Sequence, residues 1–175
     1  VSDALFKDPR DVSIGPKDAE VTIVEFFDYN CGYCKQSSEW LEGVMDKYPD
    51  DVRVVFKELP ILDGRTKTSR NAAKAALAAA RQGKYRTVHF SLMNERSLTK
   101  ERVLAIAEKA GLDMDKLKKD MEDKELDRQI EDGLLLANRI PSLTGTPFFV
   151  INDDFIAGAD KRKLDAMLQK ALKES

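Results

Sequence analysis

The stretch VTIVEFFDYNCGYCK, residues 21–35, decides the fold. Its first seven residues are β-branched, aromatic or apolar apart from one glutamate, and they predict a buried strand. After Cys34, apolar residues recur at helical spacing as far as Tyr48, which predicts an amphipathic helix. Cys31 and Cys34 therefore stand where a strand leads into a helix.

In the rest of the chain, the predicted strands lie before and after a long helical stretch. Residues 52–59 predict a second strand, which would return parallel to the first and complete a βαβ unit. Residues 66–138 contain no convincing strand and show apolar residues at helical spacing. The chain then predicts a strand, a hairpin turn and a short strand in residues 146–151, 152–154 and 155–157. A final helix follows, with apolar residues at helical spacing from Leu164 to Leu172.

The composition excludes several classes of function. The chain has 175 residues, 42% of them apolar and 34% charged, as expected of a globular protein. A net charge of −2 offers no broad positive field, so we expect no nucleic acid partner. No apolar run approaches the roughly 18 residues that cross a bilayer, so we expect no membrane insertion.

The spacing of the two cysteines points to chemistry. A bridge between Cys31 and Cys34 would close a very short loop and remove little entropy from the unfolded chain, so it is a poor way to stabilise a fold. At a helix N-terminus the unpaired N–H groups and the helix dipole favour a thiolate. We therefore expect a lowered pKa for Cys31, which would attack a disulfide, and a more buried Cys34, which would resolve the mixed disulfide.

Three segments carry a resemblance to a known family. They are VEFFDYNCGYCK at 24–35, FKE at 56–58 and GTPFFV at 145–150. Together they resemble the DsbA-like thiol-disulfide oxidoreductases of the bacterial envelope, over nearly the whole chain. The resemblance implies exchange of disulfides with protein substrates outside the cytoplasm. Residues 1–10 lack the pattern of a signal peptide, so this location is expected from the resemblance alone.

The resemblance also implies the architecture. We expect an α/β protein with the thioredoxin fold, in which residues 1–64 and 139–175 form the thioredoxin-fold domain and residues 65–138 form an inserted helical domain. The bond before Pro147 is expected to be cis.

The same resemblance implies roles for further residues. Glu25 and Lys57 are expected to meet beneath the active site and to assist proton movement at the buried cysteine. Substrate binding falls to the backbone of Thr146 and to its neighbours in the motifs, Pro147, Gly32 and Tyr33. The implied partners are unfolded or misoxidised proteins and a membrane protein that resets the redox state, and no dissociable cofactor is needed. The sole histidine, His89, receives no role.

Two departures from the commonest DsbA pattern leave the direction of exchange open. Gly32-Tyr33 replaces Pro-His between the cysteines, and Thr146 replaces valine before the proline; both choices are similar to the DsbC isomerases. Without the histidine we expect a less oxidising disulfide, so isomerase or reductase activity competes with oxidase activity. A different class of function also stays open, namely a Cu(I)-binding or chaperone module that uses the two cysteines without turnover.

Overall fold

The structure is a computed structural model that describes residues 1–66 and 68–174. Lys67, in the predicted insertion, and Ser175, at the predicted end of the thioredoxin-fold domain, lie outside the described residues. The elements are, in chain order, α1 Ser2–Phe6, β1 Val12–Ile14, β2 Val21–Phe27, α2 Gly32–Lys47, β3 Val52–Glu58, α3 Asp63–Thr66, α4 Ser69–Ala80, α5 Tyr85–Met93, α6 Lys100–Lys109, α7 Met114–Met121, α8 Lys124–Asn138, β4 Phe148–Ile151, β5 Asp154–Ala157 and α9 Lys161–Glu174.

Within the described residues, five strands form one sheet in the order β1-β3-β2-β4-β5. β2 and β3 are parallel and joined through α2, which confirms the predicted βαβ unit. β4 runs antiparallel to β2 and forms a hairpin with β5. Asn152, in the hairpin turn, has a φ of 51°, which asparagine tolerates better than most residues. The central strands are buried along nearly their whole length, because elements cover both faces of the sheet.

Side chains alternate between the two faces of the sheet and so divide the core in two. The larger part contains Ile23 and Phe27 of β2 together with apolar residues of α2, α9 and helices α4 to α8. The smaller part contains Val24 and Phe26 of β2, packed with Leu5 of α1 and with residues at the end of α8. The strand that leads to Cys31 is therefore held from both sides.

Helices α3 to α8 occupy the stretch between β3 and β4, where the sequence predicts the insertion. Thr99 and Asp113 accept hydrogen bonds from backbone N–H groups as caps of α6 and α7. The exact division of the chain into two domains stays a prediction. In the part of the chain that the structure describes, no helix is long and apolar enough to cross a membrane.

Three short elements are absent from the sequence-based prediction. They are α1, β1 and α3, with five, three and four residues. Elements this short show no full period of apolar residues, so only contacts with the rest of the fold identify them. The third predicted strand also starts later than expected, at Phe148 rather than at Thr146, because Pro147 has no N–H to give to the sheet.

Candidate active site

A buried carboxylate shapes the loop that presents Cys31. Asp28, 1% exposed, accepts hydrogen bonds from the N–H of Asn30 at 2.8 Å, the N–H of Leu62 at 2.9 Å and the hydroxyl of Ser69 at 2.8 Å. These bonds tie the end of β2 to the loop after β3 and to α4. The cysteine that follows is therefore held by two other segments of the chain, and no local sequence pattern predicts these contacts.

Cys31 is the N-cap of α2, and its sulfur accepts a hydrogen bond from the N–H of Cys34 at 3.2 Å. The pKa of the Cys31 thiol is lowered to about 6, chiefly by the hydrogen bond from the Cys34 side chain. Burial opposes this shift, while the Thr146 side chain and the N–H groups of Cys34 and Tyr33 add to it. The lowered pKa that the helix position predicts is confirmed. Both cysteines are free thiols here.

Cys34 has the opposite character. It is fully buried, whereas Cys31 keeps 8% of its surface accessible. Burial raises the pKa of the Cys34 thiol strongly, and the neighbouring Cys31 and Glu25 raise it further. One thiol is therefore ionised and reachable near neutral pH, and the other is protonated and enclosed, as the motif predicts.

Glu25 lies beneath the cysteines on the face of the sheet that α2 covers. Its side chain is fully buried, and Oε2 accepts a hydrogen bond from the Ser37 hydroxyl at 3.3 Å. Oε1 has no hydrogen-bond partner among the described residues. Burial raises the pKa of Glu25 to about 8, so the carboxyl is mostly protonated at neutral pH. Glu25 is therefore not a solvated side chain at the edge of the sheet, because β2 lies between β3 and β4.

Lys57 does not meet Glu25, and this expectation is wrong. In the register of β2 and β3, Glu25 lies opposite Phe56, while Lys57 lies opposite Phe26 and points to the other face of the sheet. There its ammonium forms an ion pair with Asp11 and donates to the carbonyl of Ala4 at 2.5 Å. The lysine anchors the N-terminal segment, and its spacing from Glu25 in the sequence could not reveal which face it would occupy.

The loop before β4 reaches the reactive sulfur. The carbonyl oxygen of Thr146 lies 3.4 Å from Sγ of Cys31, and the bond between Thr146 and Pro147 is cis, as expected. The structure therefore brings Thr146 and Pro147 to the cysteines from 115 residues away in the chain.

Gly32 and Tyr33 form the exposed rim of the site. Tyr33 is 68% exposed, and a Cβ added to Gly32 would meet nothing within 4 Å. Both positions are open to an approaching polypeptide. The glycine is therefore not required by packing, and other residues would fit in its place.

A lysine just outside the motif joins the active-site helix to the helical insertion. Lys35, directly after Cys34, donates to the carbonyl oxygens of Leu92 at 3.3 Å and Glu95 at 2.6 Å, at the end of α5. Burial lowers the pKa of Lys35. A lysine at a helix C-terminus is favourable, but no local pattern shows which helix it will reach.

His89 is a core residue rather than a surface one. It is fully buried, its Nδ1 lies 2.7 Å from the Tyr29 hydroxyl, and its ring packs edge-on against Phe27. Burial lowers the pKa of His89 to about 3, so the ring is neutral. The hydroxyl of Tyr85, which stacks on the same imidazole, donates to the buried carboxyl of Glu58 at 2.5 Å. These polar groups connect the insertion to β2 and β3.

Curated relatives match over most of this chain. A Na(+)/H(+) antiporter NhaA 3 from Salinispora tropica is 34% identical over 144 residues, which cover 82% of this chain and 22% of the relative. An NhaA antiporter from Herminiimonas arsenicoxydans is 28% identical over 156 residues, which cover 89% of this chain and 24% of the relative. The chain thus spans under a quarter of the length of these relatives.

Solved structures match over nearly the whole chain. A thioredoxin-like oxidoreductase from Silicibacter pomeroyi is 39% identical with a TM-score of 0.89, covering 99% of this chain and 98% of that one. A periplasmic thioredoxin-like protein from Salmonella enterica serovar Typhimurium is 34% identical with a TM-score of 0.84, covering 98% and 95%. The catalytic domain of Proteus mirabilis ScsC is 28% identical with a TM-score of 0.85, covering 98% and 94%.

The fold, the paired cysteines and these likenesses agree with one family. Its description is a DSBA-like thioredoxin domain, and it matches residues 22–172. The architecture is that of a thiol-disulfide oxidoreductase with a CXXC pair. This chain belongs to the family of DSBA-like thioredoxin domains.

Proposed function

We propose that the protein exchanges disulfides with exported protein substrates, with Cys31 as the nucleophile and Cys34 as the resolving thiol. The observation that carries this proposal is the contrast between the two sulfurs. Cys31 has a pKa lowered to about 6 and retains some exposure, whereas Cys34 is fully buried with a raised pKa. Such a contrast suits a two-step exchange, because the thiolate is the attacking form.

The proposed reaction balances as two thiol-disulfide exchanges. The Cys31 thiolate attacks one sulfur of a substrate disulfide, forms a mixed disulfide and releases the other sulfur as a thiolate. Cys34 then loses its proton and attacks Sγ of Cys31, which releases the second substrate thiolate and leaves a bond between Cys31 and Cys34. The substrate gains two electrons and the protein loses two. Run in reverse, the same steps oxidise a substrate, and a redox partner protein resets the pair.

Glu25 is the proposed proton acceptor for Cys34. The hydroxyl of Ser37 connects this carboxyl to the active-site helix. Its Oγ lies 3.3 Å from Glu25 Oε2 and 3.1 Å from the carbonyl oxygen of Cys34. A pKa near 8 suits a group that accepts and returns a proton near neutral pH. We do not assign this role to Lys57, which faces away from the cysteines.

The direction of net exchange is proposed from the pKa of Cys31. A value of about 6 lies between the roughly 7 of thioredoxin and the roughly 3.5 of DsbA. This supports an isomerase or reductase with moderate oxidising power over a strong oxidase. We place the exchange outside the cytoplasm, since a solved structure with 34% identity is described as periplasmic.

A trapping experiment tests the proposal. Cys34→Ser should accumulate mixed disulfides with a scrambled protein substrate and lose turnover, because the resolving thiol is gone. Cys31→Ser, the matched control, should form no mixed disulfide. If both variants prevent the aggregation of unfolded chains as well as the wild type does, and neither forms a mixed disulfide, the protein would instead be a holdase chaperone. If Cu(I) bound to Cys31 and Cys34 prevents the mixed disulfide from forming in the same trapping experiment, the result would indicate the metal-binding alternative.

A further inference from the structure

A groove lined by uncharged residues lies beside the loop that leads to Thr146. Its cavity has a volume of about 160 Å³. Its walls come from the segment after β3, the last turns of α8 and the loop before β4. The apolar side chains are those of Leu59, Ile61, Leu134, Ala137 and Leu143, and Asn138, Thr144 and Gly145 complete the lining. We call it the Ile61 groove.

The groove combines a fixed floor with an exposed apolar edge. Leu59 is 1% exposed and belongs to the smaller core, whereas Ile61 is 45% exposed. Leu134 and Leu143 pack against that core and remain half-buried. None of the described residues that line the groove carries an ionisable side chain. Its chemistry therefore favours an uncharged, apolar occupant over a charged one.

The loop that forms one wall of the groove continues to the reactive sulfur. Leu143 and Gly145 line the groove, and Thr146, the next residue, places its carbonyl oxygen 3.4 Å from Sγ of Cys31. A polypeptide joined to Cys31 that extends along this loop from Thr146 towards Gly145 would reach the groove. Residues two apart in an extended chain point to the same side and are separated by about 7 Å.

We propose that the Ile61 groove receives an apolar side chain of the substrate polypeptide, within two residues of the cysteine that is joined to Cys31. This proposal rests on the disulfide exchange proposed above and adds its substrate preference. The volume supports one side chain, because an apolar cavity of about 150 Å³ is large enough to bind benzene. Filling the groove covers the exposed edge of Ile61 and removes apolar surface from water.

The test uses symmetric disulfides of short peptides that each contain one cysteine. The peptides carry either Leu or Asp two residues from the cysteine, on its N-terminal or its C-terminal side. We expect the reduced wild-type protein to react about tenfold faster with the better Leu peptide than with its Asp counterpart. In Ile61→Asp this ratio should fall close to one. Circular dichroism should show that the variant is folded, and the milder Leu143→Ala should lower the ratio in the same direction.

Two controls separate the groove from the chemistry. Leu135→Asp changes a neighbouring residue of α8 that is 61% exposed and lines a different cavity, and it should keep the wild-type ratio. The rate with glutathione disulfide, which has no long apolar side chain, should be the same in all variants. A wild-type ratio near one, or an unchanged ratio in folded Ile61→Asp and Leu143→Ala, overturns the proposed subsite. A protein that exchanges with no peptide and with no glutathione fails the proposed function itself.

Discussion

The backbone N–H of Cys34 donates to Sγ of Cys31 across 3.2 Å, so the resolving cysteine helps to ionise the attacking one. This contact exists because Cys31 is the N-cap of α2, where the first N–H groups of the helix have no partner within the helix. The same geometry buries Cys34 inside the first turn of α2. Reactivity at one sulfur and protection of the other thus arise from a single helix start.

The pair of Cys31 and Cys34 should combine an acidic thiol with an intermediate reduction potential. The absorbance of the Cys31 thiolate should titrate near pH 6. The reduction potential should lie between the roughly −270 mV of thioredoxin and the roughly −120 mV of DsbA, because stabilising the thiolate favours the reduced form. Equilibration in glutathione buffers measures it. A potential at or above that of DsbA would contradict the assignment to an isomerase or reductase.

The stability of the reduced protein should depend on pH through Cys31. Its pKa is about 6 in the folded protein and about 8.5 in the unfolded chain, so the unfolded state holds the proton between these values. The stabilisation is therefore complete above about pH 8.5 and is lost as the pH falls through 6. It should reach about 3 kcal/mol above about pH 8.5.

Urea unfolding of the reduced and the oxidised protein between pH 5 and about 8 measures this difference, since the disulfide form has no thiolate. Cys31→Ser is the control, and its stability should lack this component. A reduced form that gains no stability relative to the oxidised form as pH rises would contradict the lowered pKa.

Replacing Glu25 should stabilise the protein and slow the exchange. Its pKa is about 8 in the folded state and near 4.3 when unfolded, so the folded state holds the extra proton and stability falls as the pH rises from about 4 to 8. Glu25→Gln should be more stable by about 3 kcal/mol at pH 7. The second step, release of the substrate from Cys31, should slow, because the proton acceptor is lost.

Thermal unfolding and the rate of decay of a mixed disulfide report these two effects. Ser37→Ala, which removes only the hydroxyl that donates to Glu25, is the control and should change the decay rate less. An unchanged decay rate in Glu25→Gln would exclude the glutamate from proton transfer.

Lys57→Met should destabilise the fold without changing the thiol chemistry. The lysine and Asp11 are 5% and 8% exposed, so the substitution leaves a buried carboxylate without its partner, at a cost of about 3 to 5 kcal/mol. The double variant Asp11→Leu, Lys57→Met should recover most of the loss. Denaturant unfolding measures the stabilities. A shifted pKa of Cys31 in Lys57→Met would show that the lysine acts on the active site after all.

Tyr33→His should make the pair more oxidising. The position is 68% exposed and two residues after the N-cap, so a histidine would fit without repacking. When protonated, its imidazole would favour the neighbouring thiolate and lower the pKa of Cys31 below about 6. The glutathione equilibrium should then shift towards the reduced protein. Tyr33→Phe keeps the ring without the charge and should leave the potential near that of the wild type.

Much of the fold follows from local patterns. β2 and β3 are buried strands with continuous apolar character, the helices from α4 to α9 carry their apolar faces within short windows of sequence, and α6, α7 and α8 also carry their N-cap residues there. The short α1 and β1 have no such local pattern, because they are stabilised by distant contacts such as the one between Lys57 and Ala4.

By itself, the sequence determined the strand-to-helix junction at Cys31 and the chemistry of a thiol at a helix N-terminus, since both depend on neighbours within one or two turns. Only the tertiary structure decided that Glu25 lies beneath the cysteines while Lys57 faces away from them, and that Thr146 reaches Sγ of Cys31. Strand register fixes the face of the sheet on which each side chain lies, and the folding of the chain brings loops that are distant in sequence into contact. Both depend on the pairing of segments far apart in the chain, which no local pattern contains.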